Sequence, residues 1–187
     1  MLPDGTFTEI SGTYNFIFTS VGGCDSIVTT TLNVHPLPIA TFILQDIICI
    51  EATPLLLEAS PSGGTFSGTG IIDNTFDPEL ATVGGPYLIT YIVADAFGCS
   101  DTITAAIEVQ ENTADAGADT TIMSGETAIL LGSAGGDYVW SPNEQMNCFD
   151  CAITEVNPFF TTTYTLTSVD LNGCIATDDV TVFVEGS

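Results

Sequence analysis

The chain has 187 residues, with 24 Asp and Glu, no Lys or Arg, one His and six Cys. Nucleic acids and anionic membranes are bound through cationic side chains, so both partners are excluded, as is Arg-based capture of phosphate. Hydrophobic residues make up 45% of the chain and charged residues 13%, which indicates a folded protein with a core rather than an acidic disordered tail.

A pattern repeats along the chain with a period of 75 residues. Each repeat contains a Gly-Cys pair, a Tyr ten to twelve residues before the Cys and apolar residues eight and ten positions after it; the cysteines are Cys24, Cys99 and Cys174. A period of this length indicates a series of small domains. We predict three units, at residues 1–36, 37–110 and 111–187.

Each unit has the sequence pattern of β-structure. Tyr87–Val93 and Val180–Val184 alternate in polarity and are rich in β-branched and aromatic residues, and no helical apolar stripe is present. The Tyr-bearing segment and the segment after Gly-Cys are predicted to form a hairpin, the F and G strands of an immunoglobulin-like sandwich, with the Tyr hydroxyl bonded to the backbone. Trp140 matches the core Trp of strand C. The predicted fold is therefore all-β, in tandem immunoglobulin-like β-sandwiches.

The first unit is incomplete. It supplies only three candidate strands, near Thr6–Glu9, Thr13–Ser20 and Ser26–Val34, which amount to the C-terminal half of a sandwich. Such an open sheet leaves an apolar face and its edges uncovered. The segment His35–Pro38, with two prolines, is predicted to be a stiff extended linker to the second unit.

The cysteines suggest two disulfides. We place Cys49, between strands A and B, at the same end of the second sandwich as Cys99 in the F–G turn, and predict that these two are bonded. Cys148 and Cys151 are close enough in sequence to close a small loop.

Two cysteines then remain, Cys24 and Cys174, either unpaired or joined between chains. A partner for Cys174 within its own unit would fall near residue 124, where Met123 stands. A redox or zinc role for Cys148 and Cys151 is not favoured, because the lone His35 lies in a linker and no second pair of ligands is present.

Several segments resemble known repeats. Leu2–Thr6, Ser11–Tyr14 and Gly23–Val28 resemble tandem repeats of large surface proteins of Bacteroidota, and Ser62–Ile71 with Phe76–Pro78 resembles a second repeat class of those proteins. A third class, the PKD/Ig-like unit found before gliding-motility-associated C-terminal regions, is resembled by four segments: Asp115–Asp119, Trp140–Pro142, Cys148–Cys151 and Thr161–Thr165.

This resemblance implies export to the cell surface, in these organisms by type IX secretion, and hence an oxidising environment suited to disulfides. It also implies O-glycosylation at Asp-Ser/Thr-hydrophobic or Asp-Thr-Thr tripeptides, which here contain Ser26, Thr102 and Thr120. Ordinary strand-start residues are the alternative interpretation of those three positions.

Catalysis is not expected. With a single His, in a linker, and no Lys or Arg, nucleophilic and cationic chemistry lack their residues, and the carboxylates are scattered over turns. Calcium binding is a more plausible role for carboxylates than catalysis. Three of them, Glu111, Asp115 and Asp119, lie close together in sequence at the joint before the third unit. A solvated polar linker is the alternative there.

Two functions remain. One is a passive stalk segment of a surface adhesin, and the other is a filament subunit in which strands of a neighbouring chain complete the first unit. Partners would be copies of the chain or neighbouring repeats of the same protein. A carbohydrate-binding module of a secreted multidomain protein, with glycans as partners, is the weaker alternative.

Overall fold

A computed structural model describes residues 2–186. In this part of the chain the protein consists of nineteen β-strands and one four-residue helix. None of its helical structure is long and apolar enough to cross a membrane. The all-β prediction is confirmed.

The first unit is a two-stranded antiparallel hairpin. Strand β1 (Gly12–Thr19) pairs with β2 (Asp25–Leu32) along its whole length, with Phe16 opposite Val28. The predicted strand at Thr6–Glu9 is wrong, because that segment has no strand pairing. The turn between β1 and β2 is closed by Gly23 at φ 84°, a left-handed conformation that favours glycine.

A sandwich follows, built from nine strands and the helix: β3 (Thr41–Phe42), β4 (Ile47–Cys49), β5 (Leu55–Leu56), β6 (Ala59–Ser60), β7 (Thr65–Ser67), β8 (Ile71–Ile72), β9 (Thr75–Phe76), α1 (Pro78–Ala81), β10 (Gly84–Ala94) and β11 (Ser100–Gln110). One sheet has the order β4-β11-β10-β7, with β4 parallel to β11; the remaining strands form two smaller sheets, β5-β9-β8 and β3-β6. We call these strands the second sandwich.

The third sandwich repeats this arrangement with eight strands: β12 (Ala114–Asp115), β13 (Thr120–Met123), β14 (Ala128–Leu131), β15 (Ser133–Ala134), β16 (Asp137–Ser141), β17 (Ile153–Val156), β18 (Thr162–Val169) and β19 (Ile175–Glu185). Its main sheet has the order β13-β19-β18-β16, again with the first strand parallel to the last. The predicted terminal hairpins correspond to β1–β2, β10–β11 and β18–β19, each turning through its Gly-Cys pair.

Each sandwich encloses its own core, since strands that alternate in polarity turn every second side chain inward. Phe76 and Ile89 are fully buried in the second core, and Trp140, Tyr164 and Leu166 in the third. The predicted core role of Trp140 is confirmed; its indole N–H donates to the Cys151 carbonyl at 2.9 Å.

The tyrosines differ among the three units. The hydroxyls of Tyr14 and Tyr87 donate to the backbone carbonyls of Ile10 (2.8 Å) and Thr82 (3.3 Å), as expected at the start of strand F. Tyr164 instead lies inside the core. Burial, and secondarily the carboxylate of Glu144, raise the pKa of its hydroxyl above 10.0.

Candidate functional site: the joint between the second and third sandwiches

A disulfide joins the two sandwiches. Cys49, the last residue of β4, is bonded to Cys174, the residue before β19, with a Cα–Cα distance of 5.3 Å and a sequence separation of 125. The predicted Cys49–Cys99 bond is therefore wrong, and Cys174 is neither unpaired nor available for a bond between chains. Cys24 and Cys99 are the free cysteines of the described chain.

Strand direction explains why Cys49 cannot reach Cys99. Strand β4 runs parallel to β11, so Cys49 lies opposite Gln110 at the end of β11, whereas Cys99 precedes the first residue of that strand. Eleven residues of extended chain cover roughly 35 Å, and a disulfide needs Cα atoms less than about 7 Å apart. The end of β4 instead faces the Gly-Cys turn of the third sandwich.

A buried amide lies beside this disulfide. Asn112 is 6% exposed, and its Nδ2 donates to the Ser168 hydroxyl and to the Cys174 carbonyl, both at 3.0 Å. Its Oδ1 accepts from the N–H of Thr113 at 2.8 Å. The first residues after the second sandwich are thus tied to the turn that carries Cys174, which fixes the direction in which the chain enters the third sandwich.

A third contact closes the joint at its rim. The side chain of Asn172 donates to Oε1 of Gln110 at 2.8 Å. Gln110 also lies opposite Cys49, so the disulfide holds the end of β4 and this hydrogen bond holds the end of the neighbouring strand β11. The disulfide and these neutral hydrogen bonds restrict bending between the two sandwiches.

The first hairpin meets the second sandwich at a similar joint. The ring of His35 stacks on Phe97, in the Gly-Cys turn of the second sandwich, with ring centroids 3.5 Å apart and planes 18° apart. His35 also contacts Asn33 through Nε2, at 3.3 Å. This histidine therefore has a packing role, and it belongs to no cluster of potential metal ligands among residues 2–186.

The inner face of the hairpin is uncovered. Phe18 on β1 is 42% exposed, whereas Val93, its counterpart 75 residues later on β10, is 4% exposed. Val34 is 38% exposed, and its counterpart Val109 is 1% exposed. These side chains have the pattern of a sandwich core, but residues 2–186 contain no second sheet that covers them. The predicted open face is thus present.

The predicted calcium ligands are not gathered. Glu111, Asp115 and Asp119 are exposed, and their carboxylates do not lie within 4.8 Å of one another. Asp115 accepts the N–H of Gly117 at 2.9 Å, and Asp119 accepts that of Thr181 at 2.7 Å, so both carboxylates already bind backbone. As placed, these residues do not form a cation site.

The other predicted positions lie at the surface or in the third sandwich. Ser26 and Thr102 are exposed near the starts of β2 and β11, and Thr120 is half-buried at the start of β13. The predicted Cys148–Cys151 disulfide is confirmed, with a Cα–Cα distance of 5.6 Å. Its sulfurs lie near the carboxylate of Asp150, but bonded sulfurs are not thiolate ligands.

No protein-family model and no curated protein matches the chain. Three solved structures are similar in fold: the insect immune protein hemolin (12% identity, TM-score 0.38), Drosophila N-cadherin EC1–4 (11%, 0.35) and a Ca²⁺-stabilised adhesin that helps an Antarctic bacterium bind ice (14%, 0.36). The matches cover 92%, 97% and 92% of this chain but only 56%, 60% and 57% of those chains. At such TM-scores the likeness carries no functional inference, beyond the fact that immunoglobulin-like, cadherin and adhesin domains are its neighbours.

Sequence reasoning missed the residues of both joints. The sequence pattern identifies His35 only as a linker residue and assigns no role to Gln110, Asn112 or Asn172. A usable signal existed: His35 and Gln110 are 75 residues apart, as are Phe97 and Asn172, so each joint pairs the same two repeat positions.

Proposed function

We propose that this chain is a non-catalytic extracellular segment of a surface stalk, in which sandwiches follow one another in a fixed direction. The observation that carries the proposal is the Cys49–Cys174 disulfide between sandwiches. Independent domains joined by a short linker move relative to one another by default, and a covalent bond across the joint removes much of that freedom. A spacer that holds a tip away from a surface needs this stiffness.

The resemblance of the sequence to Bacteroidota surface repeats supports the same proposal, with export by the type IX route. Disulfides form and persist in oxidising compartments, and this chain contains two. Buried Trp140 offers no aromatic face to a sugar ring, so the single Trp does not support the carbohydrate-binding alternative.

Small-angle X-ray scattering tests the stalk. We expect the native chain to give one narrow distribution of interatomic distances. The double variant Cys49→Ser/Cys174→Ser should give a broader distribution, with the cross-sectional radius of gyration unchanged. The matched control is Cys148→Ser/Cys151→Ser, which removes the disulfide inside the third sandwich and leaves the joint intact. A native profile as broad as that of the joint variant would contradict a rigid spacer.

A second function is favoured by the uncovered hairpin. We propose that strands from another polypeptide complete it, which would join segments into a filament by strand complementation. An open edge beside an exposed apolar face accepts an added strand, and a head-to-tail contact of this kind does not close. Sedimentation velocity over a hundredfold concentration range tests it: self-association should rise with concentration, and a monomer at all concentrations would contradict polymerisation by this chain alone.

Calcium binding and O-glycosylation remain predictions. Calcium binding by Glu111, Asp115 and Asp119 would require the joint loop to rearrange, and titration calorimetry with CaCl₂ tests it against the triple Glu/Asp→Gln/Asn variant. O-glycosylation at Ser26, Thr102 or Thr120 would add glycan mass to the native protein. An intact mass equal to that of the peptide would exclude it.

A further inference from the structure

The two joints of the chain are built at the same repeat positions. At the second joint Gln110 contacts Asn172, and at the first joint His35 stacks on Phe97. An offset of 75 residues relates His35 to Gln110 and Phe97 to Asn172. One pair of repeat positions is thus in contact at both joints, so the turn that carries Cys99 lies against His35 as the turn that carries Cys174 lies against Gln110.

The Gly-Cys turns that enter these joints share their hydrogen bonds. Oδ1 of Asp95 accepts the N–H of Cys99 at 2.9 Å, and Oδ1 of Asp170 accepts that of Cys174 at 2.8 Å. In return the two aspartate N–H groups donate to the cysteine carbonyls at 2.8 and 3.0 Å. The two turns thus present their cysteines alike, yet Cys174 is bonded across its joint whereas Cys99 is free and half-buried.

Backbone pairing determines where the partner of Cys99 would lie. In the second sandwich the N–H of Glu108 donates to the C=O of Asp46, and the C=O of Gln110 accepts the N–H of Ile50. Asp46 and Ile50 flank β4, and Cys49 lies opposite Gln110. The counterparts of the Glu108 N–H and the Gln110 C=O in the first hairpin are the N–H of Asn33 and the C=O of His35, and neither has a hydrogen-bond partner among residues 2–186. The edge that should hold a strand equivalent to β4 is therefore open.

We propose that Cys99 is the receiving thiol of a disulfide between units, formed with a cysteine on a strand that pairs parallel to the chain at Asn33–His35. The occupant is the first half of a sandwich of this same repeat class, equivalent to residues 37–75, with its cysteine opposite His35. This inference rests on the proposed completion of the first hairpin and adds the chemistry that secures it. The Cys49–Cys174 bond at the second joint carries the inference, and not the free thiol of Cys99 alone.

The bond forms by thiol–disulfide exchange. The thiol of Cys99 and that of the incoming cysteine each lose one proton, and together they lose two electrons to a small-molecule disulfide such as oxidised glutathione, which leaves as two thiols. The stacked ring of Phe97 keeps the turn that carries Cys99 against His35, the residue that the incoming cysteine would face.

An extended chain tests the inference. Residues 37–75 are copied in front of Met1, which places them in the natural 75-residue register with the hairpin and adds one cysteine. After folding in a glutathione redox buffer, we expect one free thiol, Cys24, instead of the three expected if the added cysteine and Cys99 stay apart. A protease that cleaves at Asp and Glu, followed by mass spectrometry, identifies the bonded peptides, since the chain lacks sites for trypsin.

Amide hydrogen exchange of β1 and β2 reports separately whether the hairpin has been completed. Protection with the new bond supports the inference, and the matched control, in which the added cysteine is Ser, should show protection with Cys99 free. Protection while Cys99 stays free in the cysteine version overturns the inference and leaves strand complementation standing. If β1 and β2 gain no protection, a second donor, residues 112–150 with Met123→Cys and Cys148→Ser, replaces the first. Failure of both donors contradicts complementation and this inference together.

Discussion

Removing the disulfide between sandwiches should destabilise the third sandwich strongly. While the second sandwich is folded, it holds Cys49 beside Gln110, so the bond ties Cys174 to a fixed point and closes a loop of about 64 residues when the third sandwich unfolds. Loop-closure entropy for that length is worth about 4 kcal/mol at 25 °C. The variant Cys49→Ser/Cys174→Ser should therefore lower the folding equilibrium constant of this sandwich by about a thousandfold.

Trp140 provides the assay. It is the single Trp of the chain and lies fully buried in the third core, so its fluorescence in a urea titration follows this sandwich alone. We expect the variant to unfold at a lower urea concentration with a slope at least as steep as that of the native protein, because the unfolded chain without the closed loop is less compact and exposes at least as much surface.

Cys99→Ser is the matched control, since it changes the same position of the neighbouring Gly-Cys turn. With Cys99 free, its replacement should leave the fluorescence transition where it is. The reasoning from the joint disulfide is refuted if Cys99→Ser lowers the urea midpoint as much as the double variant does. It is also refuted if the double variant unfolds at the same urea concentration as the native protein.

Three further changes test other parts of the chain. Asn112→Ala removes the buried amide that bonds the Cys174 turn and should cost about 1–3 kcal/mol in the same urea titration, whereas Asn172→Ala, at the exposed rim, should cost less. Gly173→Ala should cost about 1 kcal/mol because φ is 84° although the space for a Cβ is open, and Gly173→Asn should recover part of it. Burial raises the pKa of Tyr164, so above pH 10 the unfolded chain loses this proton first and stability falls as the pH rises; Tyr164→Phe should flatten that decline in thermal melts between pH 9 and 11.

Local patterns were sufficient to predict the hairpins. Alternating residues in Tyr87–Val93, a following Gly-Cys turn and the 75-residue period together place β10 against β11, and the same logic places Trp140 in a core. Each of these contacts joins neighbouring strands or faces one core, so its geometry depends on sequence close at hand.

The disulfide across the joint could not be predicted in the same way. Pairing Cys49 with Cys99 or with Cys174 leaves two cysteines over in either case, so counting does not distinguish them. The choice depends on the parallel pairing of β4 with β11, which carries Cys49 to the far end of the sandwich, and no local pattern specifies that pairing. The carboxylates of the joint failed as a metal site for a related reason, because backbone N–H groups that sequence cannot place had already bound them.

The negative charge of both sandwiches limits which contacts can hold the joints together. Nine acidic side chains lie in residues 37–110 and twelve in residues 111–187, with no Lys or Arg to oppose them, so adjacent sandwiches repel each other and no ion pair with those residues can hold a joint. The contacts found across the second joint are neutral: a disulfide and amide hydrogen bonds. A further unit of this acidic class would meet the first hairpin under the same constraint. The register of its strand along the open edge at Asn33–His35, rather than charge, would then decide whether its cysteine reaches Cys99.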